Sequence, residues 1–273
     1  MSRTITAAAR VHAGIRFWSA LACALMAMAV AIPCPAQNTT SKKQSSEPAA
    51  KKPGDSDQVL RHAVFFTFKD DSSADDVDAV VEAFRALPSK IDVIQEFESG
   101  KNISPWGLDD GFTHCFLLTF KDEAGRAAYL PHPDHKAFGD SLRPHLDKVF
   151  VIDYWGRPRA SGQARELKHA AFMKFKDSAS DADVRAVEDS LAALPSKIDS
   201  IKGFEWGKNN SPEKHDDGFT HCFMFTIDSD DGLEEFVVHP DHQAAVSSLR
   251  PALEKARVLD FWTKDDPSGD GEE

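Results

Sequence analysis

Two periodicities alternate along residues 60–155. Residues 62–68 form a short run of β-branched and aromatic side chains bounded by charge, which predicts a strand. Period-two geometry puts His62, Val64, Phe66 and Phe68 on one face, and Ala63, Phe65 and Thr67 on the other. Both faces are apolar enough to need a cover. Val77, Val80, Val81, Phe84 and Leu87 then recur at helical spacing, with Ser72 or Ser73 as N-cap, Asp75 and Asp76 in the first turn, and Pro88 at the end. Residues 91–101 predict a second strand interrupted by Glu and Gln. Residues 112–120 predict a third and clearer one, with His114, Phe116, Leu118 and Phe120 on one face and Cys115, Leu117 and Thr119 on the other. A short helix is expected over 122–130, broken by Pro131 and Pro133. A second helix is expected from Asp134 or its neighbour, with Asp134 able to cap it, through residue 148 with a kink or division at Pro144, and residues 149–155 close the unit as a fourth strand.

The order is β-α-β-β-α-β, an α+β frame whose four-stranded antiparallel sheet carries its helices on one face. It occurs twice. Residues 60–155 align without a gap on residues 167–262, with about 51 of about 96 positions identical, so the chain is a tandem duplication. The sheet face left bare by the helices of one repeat meets an equivalent face in the other, and a linker over 156–166 gives the two units room to pack. A monomer with an intramolecular pseudo-dimer is the expected assembly.

The flanks read differently. Arg3, Arg10 and Arg16 precede an apolar run from Phe17 to Ile32 that ends in small residues at Cys34 and Ala36, the pattern of a secretory signal peptide over 1–36 with cleavage before Gln37. Export to the periplasm or the extracellular space is the expectation, with no membrane anchor in the mature chain, because the run is short for a span of roughly 20 residues; an uncleaved anchor is the alternative. Residues 37–59 are a polar tether, and residues 263–273 an acidic tail. The net charge of −12, without a Lys/Arg cluster, argues against nucleic acid as a partner. Cys115 and Cys222 occupy the same position in each repeat, inside strands, and are expected as buried thiols.

Candidate chemistry rests on histidines. Four positions recur in both repeats: His62/His169, His114/His221, His132/His239 and His135/His242. On strand faces that also carry apolar residues, such histidines ordinarily serve the core. As a metal set, His114 with His132 and His135 follows no recognised ligand spacing, and no metal is expected. No Gly-rich phosphate loop or Gly-x-Ser-x-Gly elbow is present, and no cofactor is expected. A pair of imidazoles in a dry cavity could remove and return a proton near neutral pH, with Asp153 or Asp260 orienting one of them.

Each repeat resembles the stress-responsive A/B barrel domain, also called the dimeric alpha-beta barrel or Dabb domain. The residues that carry the resemblance are His62 followed by Phe68-Lys69-Asp70, then Gly100-Lys101-Asn102, Gly111-Phe112-Thr113-His114, His132-Pro133-Asp134-His135 and Asp153-Tyr154-Trp155. The resemblance implies two ferredoxin-like repeats forming an intramolecular dimeric alpha-beta barrel, with a cavity between sheet and helices in some members. It implies a small-molecule-binding or interaction module. The alternative is a histidine-dependent lyase or cyclase acting on a small apolar or carbonyl compound of polyketide type. In an enzymatic member, a plant polyketide cyclase, the functional residues fall by motif on His62, His114, Tyr129, His135 and Asp153. The second repeat has His169, His221, His242 and Asp260 at the matching places but Phe236 in place of the tyrosine. Phe66, Phe68, Phe116 and Phe120 share faces with these histidines and compete for the same space.

Overall fold

The computed structural model describes residues 58–158 and 165–264. The expected signal peptide, residues 37–57 of the tether and residues 265–273 of the tail lie outside the described residues. The first repeat runs β1 (Val59–Phe68), α1 (Ala74–Arg85), a 3-10 turn (Leu87–Ser89), β2 (Ile94–Lys101), β3 (His114–Phe120), α2 (Glu123–Tyr129), α3 (Pro133–Leu142) and β4 (Leu146–Gly156). The second runs β5 (Leu167–Phe175), α4 (Asp181–Ala192), a 3-10 turn (Leu194–Ser196), β6 (Ile201–Lys208), β7 (His221–Ile227), α5 (Asp230–Val238), α6 (Pro240–Leu249) and β8 (Leu253–Trp262). Both sheets are antiparallel, in the orders β2-β3-β1-β4 and β6-β7-β5-β8, so each repeat is the ferredoxin-like β-α-β-β-α-β unit.

Local chemistry accounts for the boundaries. Ser73 rather than Ser72 caps α1, its hydroxyl accepting from the Asp76 N–H while Asp76 accepts from the Ser73 N–H, a capping box worth about 1 kcal/mol. The second strand starts at Ile94 instead of residue 91, because the N–H groups of Lys90 and Ile91 both bond back to the Leu87 carbonyl and prolong the turn. Phe112 belongs to a turn closed on the Asp109 carbonyl, so the third strand starts at His114. His132, not Asp134, caps α3: its Nδ1 accepts from the Asp134 N–H at 3.2 Å. That helix ends at Leu142 and does not reach residue 148; Pro144 has no N–H to extend it, and the chain enters β4 at Leu146.

Alternation along each strand divides the interior into layers. Leu60, Val64, Phe66, Phe116 and Phe120 pack under the helices against Val80, Phe84, Phe138 and Leu142. The opposite face, with Ala63, Phe65, Cys115, Leu117 and Ile152, packs on Ala170, Phe172, Cys222, Met224 and Leu259 of the other sheet. The two sheets thus bury their bare faces on each other within one chain. Cys115 and Cys222 are free thiols in this layer, and burial pushes both well above the usual thiol range.

Edge strands meet at two seams. The Ser99 N–H donates to the Thr263 carbonyl at 3.3 Å, and Asn102 bridges to Phe261. At the other seam Tyr154 donates to Glu205 at 2.9 Å, and Arg61 pairs with the same carboxylate at 3.2 Å. Gly100 shows how close the strands come, because a Cβ there would lie 2.0 Å from the Trp262 carbonyl oxygen. Among the described residues no helix is long and apolar enough to cross a membrane.

Candidate functional site

The helix-facing side of the first sheet carries His62 on β1 and Asp153 on β4, which are paired in register. His62 Nδ1 lies 2.6 Å from Asp153 Oδ1, and because a carboxylate only accepts, Nδ1 carries the proton. Asp153 is completely buried, and its second oxygen accepts from Arg126 Nη1 at 2.7 Å. Arg126 and Tyr129 stand three apart on α2 and so share a face toward the sheet. Arg126 Nη1 also donates to the Asn210 side-chain oxygen at 2.8 Å. Asn210 belongs to the loop after β6, in the second repeat.

Tyr129 is wholly buried, and among the described residues its hydroxyl has no hydrogen-bond partner. Its ring centroid lies 5.7 Å from that of His62 and 4.1 Å from that of His135. His135, in the first turn of α3, donates from Nδ1 to the Leu130 carbonyl at 3.0 Å, which leaves Nε2 with its lone pair. His62, Tyr129 and His135 line a cavity of about 250 Å³ between sheet and helices. Phe66, Phe84 and Phe138 form its apolar wall, while Phe116 and Phe120 stay in the packed core.

Electrostatics separate the two imidazoles. Burial opposes the charged form of His62, but the charge and hydrogen bond of Asp153, with help from Glu213, outweigh it and hold the pKa above the ordinary histidine value. Burial likewise opposes ionised Asp153, yet His62 and Arg126 keep it below the usual carboxylate range. Around His135 burial dominates and lowers the pKa. Burial, with Glu213 and Asp153 nearby, pushes Tyr129 well above the usual phenol range. The site therefore pairs an imidazole that holds its proton with one that gives it up.

Of the residues singled out from sequence, His62, Tyr129, His135 and Asp153 come together; His114 does not. It sits opposite Phe66 in the β1–β3 register, four residues along from His62, roughly 13 Å at strand rise. There its Nδ1 lies 2.8 Å from the Thr113 hydroxyl and its ring packs edge-on against Phe68.

In the second repeat, His169 Nδ1 lies 2.6 Å from Asp260 Oδ1, and His242 donates to the Val237 carbonyl at 3.0 Å. Leu233 stands where Arg126 stands in the first repeat, Phe236 where Tyr129 stands, and Asp260 Oδ2 accepts instead from Trp106 Nε1 at 2.8 Å. His221 is engaged away from these residues, Nε2 lying 3.1 Å from Glu188; burial, with Lys208 nearby and only partly offset by Glu188, pushes its pKa down to about 4.

Sequence reasoning missed Arg126, Glu213 and Trp106. Each sits where the two otherwise similar repeats carry different residues, Arg126 against Leu233 and Trp106 against Glu213. His62, Asp153 and Glu213 present ligand-type atoms within 4.8 Å of one another. Asp153 is already committed through both oxygens, however, and the Arg126 cation opposes a metal ion there. The arrangement fits an acid–base network better than a cation site.

Comparison with known proteins agrees with this fold. The family model described as the Stress Responsive A/B Barrel Domain matches residues 60–156 and 167–263. The stress-response A/B barrel domain-containing protein HS1 of Arabidopsis thaliana is 34% identical over 95 residues, 35% of this chain and 87% of that protein. Olivetolic acid cyclase of Cannabis sativa is 26% identical over 95 residues, 35% of this chain and 94% of that protein. Among solved structures, an anthrone oxidase-like protein superposes with a TM-score of 0.53 at 10% identity, covering 78% of this chain and 95% of that one, and shares the fold.

Proposed function

We propose, from the premise that this chain belongs to the stress responsive A/B barrel domain family, that the cavity of its first repeat binds a small, largely apolar molecule bearing a carbonyl group. The observation that carries the proposal is the Tyr129 hydroxyl, buried without a partner between two imidazoles in the wall of a 250 Å³ cavity. A buried unpaired hydroxyl costs about 1–3 kcal/mol, and a ligand oxygen that accepts from it recovers that cost. The apolar wall takes the hydrocarbon part, the usual design of a small-molecule site. Similarity to a cyclase supports a carbonyl-type ligand. Calorimetric titration with acetophenone tests the proposal: one site per chain is expected, and heats indistinguishable from dilution would overturn it.

A second reading, a histidine-dependent lyase or cyclase, is favoured by the opposite tuning of His62 and His135, since environments that push two titratable groups apart assign an acid and a base. His135 Nε2 takes a proton from the carbon next to the carbonyl, the C–H electron pair passes to the carbonyl oxygen, and Tyr129 O–H stabilises the enolate. In heavy water the methyl protons of acetophenone then exchange for deuterium faster than with His135→Ala protein, read by proton NMR. Equal rates would remove this reading. Export completes the proposal and is supported by Arg3, Arg10 and Arg16 ahead of the apolar run; N-terminal sequencing of native protein should start near Gln37.

A further inference from the structure

One wall of the first-repeat cavity comes from the second repeat. Glu213 lies in the loop between β6 and β7, yet its Oε1 sits 3.7 Å from His62 Nδ1, buried and, among the described residues, without a hydrogen-bond partner. The loop is clamped to β4 on both sides of this residue. The Asn210 N–H donates to the Asp153 carbonyl at 2.8 Å, the Asp153 N–H donates to the Asn209 side-chain oxygen at 3.1 Å, and the Val151 N–H donates to the His215 carbonyl at 2.9 Å. The backbone that carries this carboxylate is thus held against β4 on both sides.

The pseudo-symmetric loop does the same in reverse with a different residue. The Ile103 N–H donates to the Asp260 carbonyl at 2.8 Å and the Val258 N–H to the Leu108 carbonyl at 3.0 Å, but the residue delivered between them is Trp106, whose indole donates to Asp260. An indole satisfies the carboxylate of its site. Glu213 instead brings an acceptor oxygen, beside an imidazole Nδ1 whose proton already goes to Asp153.

From this we infer that Glu213 sets ligand specificity: the first-repeat cavity selects carbonyl compounds that also carry a hydroxyl or N–H, which donates to Glu213 while the carbonyl oxygen accepts from Tyr129. The inference rests on the carbonyl-binding reading and adds the second polar group. It also makes the site a product of both repeats, with one working cavity per chain.

Acetophenone and meta-hydroxyacetophenone, which differ by one hydroxyl, separate the two claims in wild type and in Glu213→Gln, with a thermal melt to show that the variant is folded. A hydrogen bond to a charged group corresponds to roughly a tenfold to hundredfold preference for the hydroxylated probe in wild type. In Glu213→Gln that preference should fall to within about threefold of unity, since Gln weakens the charge-assisted bond. Glu213→Trp, which copies Trp106, should abolish binding of both probes. Equal wild-type affinity for the two probes, or a preference that survives Glu213→Gln, overturns the assignment of Glu213 and leaves carbonyl binding standing. Failure of both probes to bind wild type overturns both claims.

Discussion

Replacing Asp153 by Asn keeps the shape of the side chain and removes one buried negative charge. Asp153 accepts from His62 Nδ1–H at 2.6 Å and from Arg126 Nη1–H at 2.7 Å, and its side chain is completely buried. Removing one partner of a buried pair costs about 3–5 kcal/mol, because the remaining charge stays desolvated. For a chain of this size each kcal/mol corresponds to roughly 2–4 °C, so the melting temperature should fall by about 6–20 °C. Asp260→Asn is the internal control. Its carboxylate is bonded to His169 and to the neutral indole of Trp106, with Leu233 in place of the arginine, so no guanidinium is stranded and the cost should be about 1–3 kcal/mol.

The pH dependence supplies a sign as well as a size. His62 is raised in the folded state, so its contribution is fully present below the unfolded value of about 6.5 and is lost as pH rises through the folded value. Asp153 is depressed, so its contribution is present above about 3.9 and is lost as pH falls through its folded value. With Asn at 153, burial becomes the governing influence on His62, its folded pKa drops below the ordinary value, and its contribution grows with pH. The stability gap between wild type and Asp153→Asn should therefore be widest near pH 5–6 and narrow toward pH 8, measured by urea unfolding across that range. A gap that is flat or widens with pH, or equal losses for Asp153→Asn and Asp260→Asn, would refute the role given to Asp153 and Arg126.

Tyr129→Phe should weaken acetophenone binding about fivefold, the worth of one neutral hydrogen bond, and raise the melting temperature, because the buried hydroxyl it removes costs about 1–3 kcal/mol without a partner among the described residues. Gly100→Ala should cost about 1–3 kcal/mol by forcing a Cβ into the Trp262 carbonyl across the seam, whereas Gly139→Ala, in α3 with nothing within 4 Å of the new methyl, should stabilise by about 0.5–1 kcal/mol; thermal melts of both variants check the contrast. Light scattering should give one chain's mass, 30.1 kDa for the full sequence, at all dilutions, because the two sheets that must cover each other are in the same chain; a persistent dimer would contradict this.

The fold is legible because the signal is written twice. Period-two strands at His62 and His114 and the helical spacing of Val77 to Leu87 recur in both repeats, and a sheet that is apolar on both faces demands a cover on each side. The candidate site is legible only in part. His62, Tyr129, His135 and Asp153 stand in motifs whose residue types can be read directly, but alternation reports which face a residue occupies and not how far along the strand it lies, so His114 joins the others on paper and stands apart in space. Arg126 reaches Asp153 through a helix that sequence patterning places on the sheet without fixing its partner. Glu213 arrives from the other repeat, through a loop whose position depends on Asn209 and Asn210 gripping the edge of β4. Where α3 begins and ends follows from single groups, the His132 ring nitrogen and Pro144, that hydrophobic periodicity does not weigh.

The central claim is that one cavity per chain binds a small carbonyl compound and that it belongs to the first repeat. His135→Ala and His242→Ala alter equivalent positions on α3 and α6, each hydrogen-bonded to a carbonyl at 3.0 Å, so their structural costs should match. Calorimetric titration of acetophenone into the two folded variants separates function from structure. The account predicts one site in wild type, affinity lost or strongly reduced in His135→Ala, and wild-type affinity in His242→Ala. Equal losses in both variants, or two sites per chain, would contradict it.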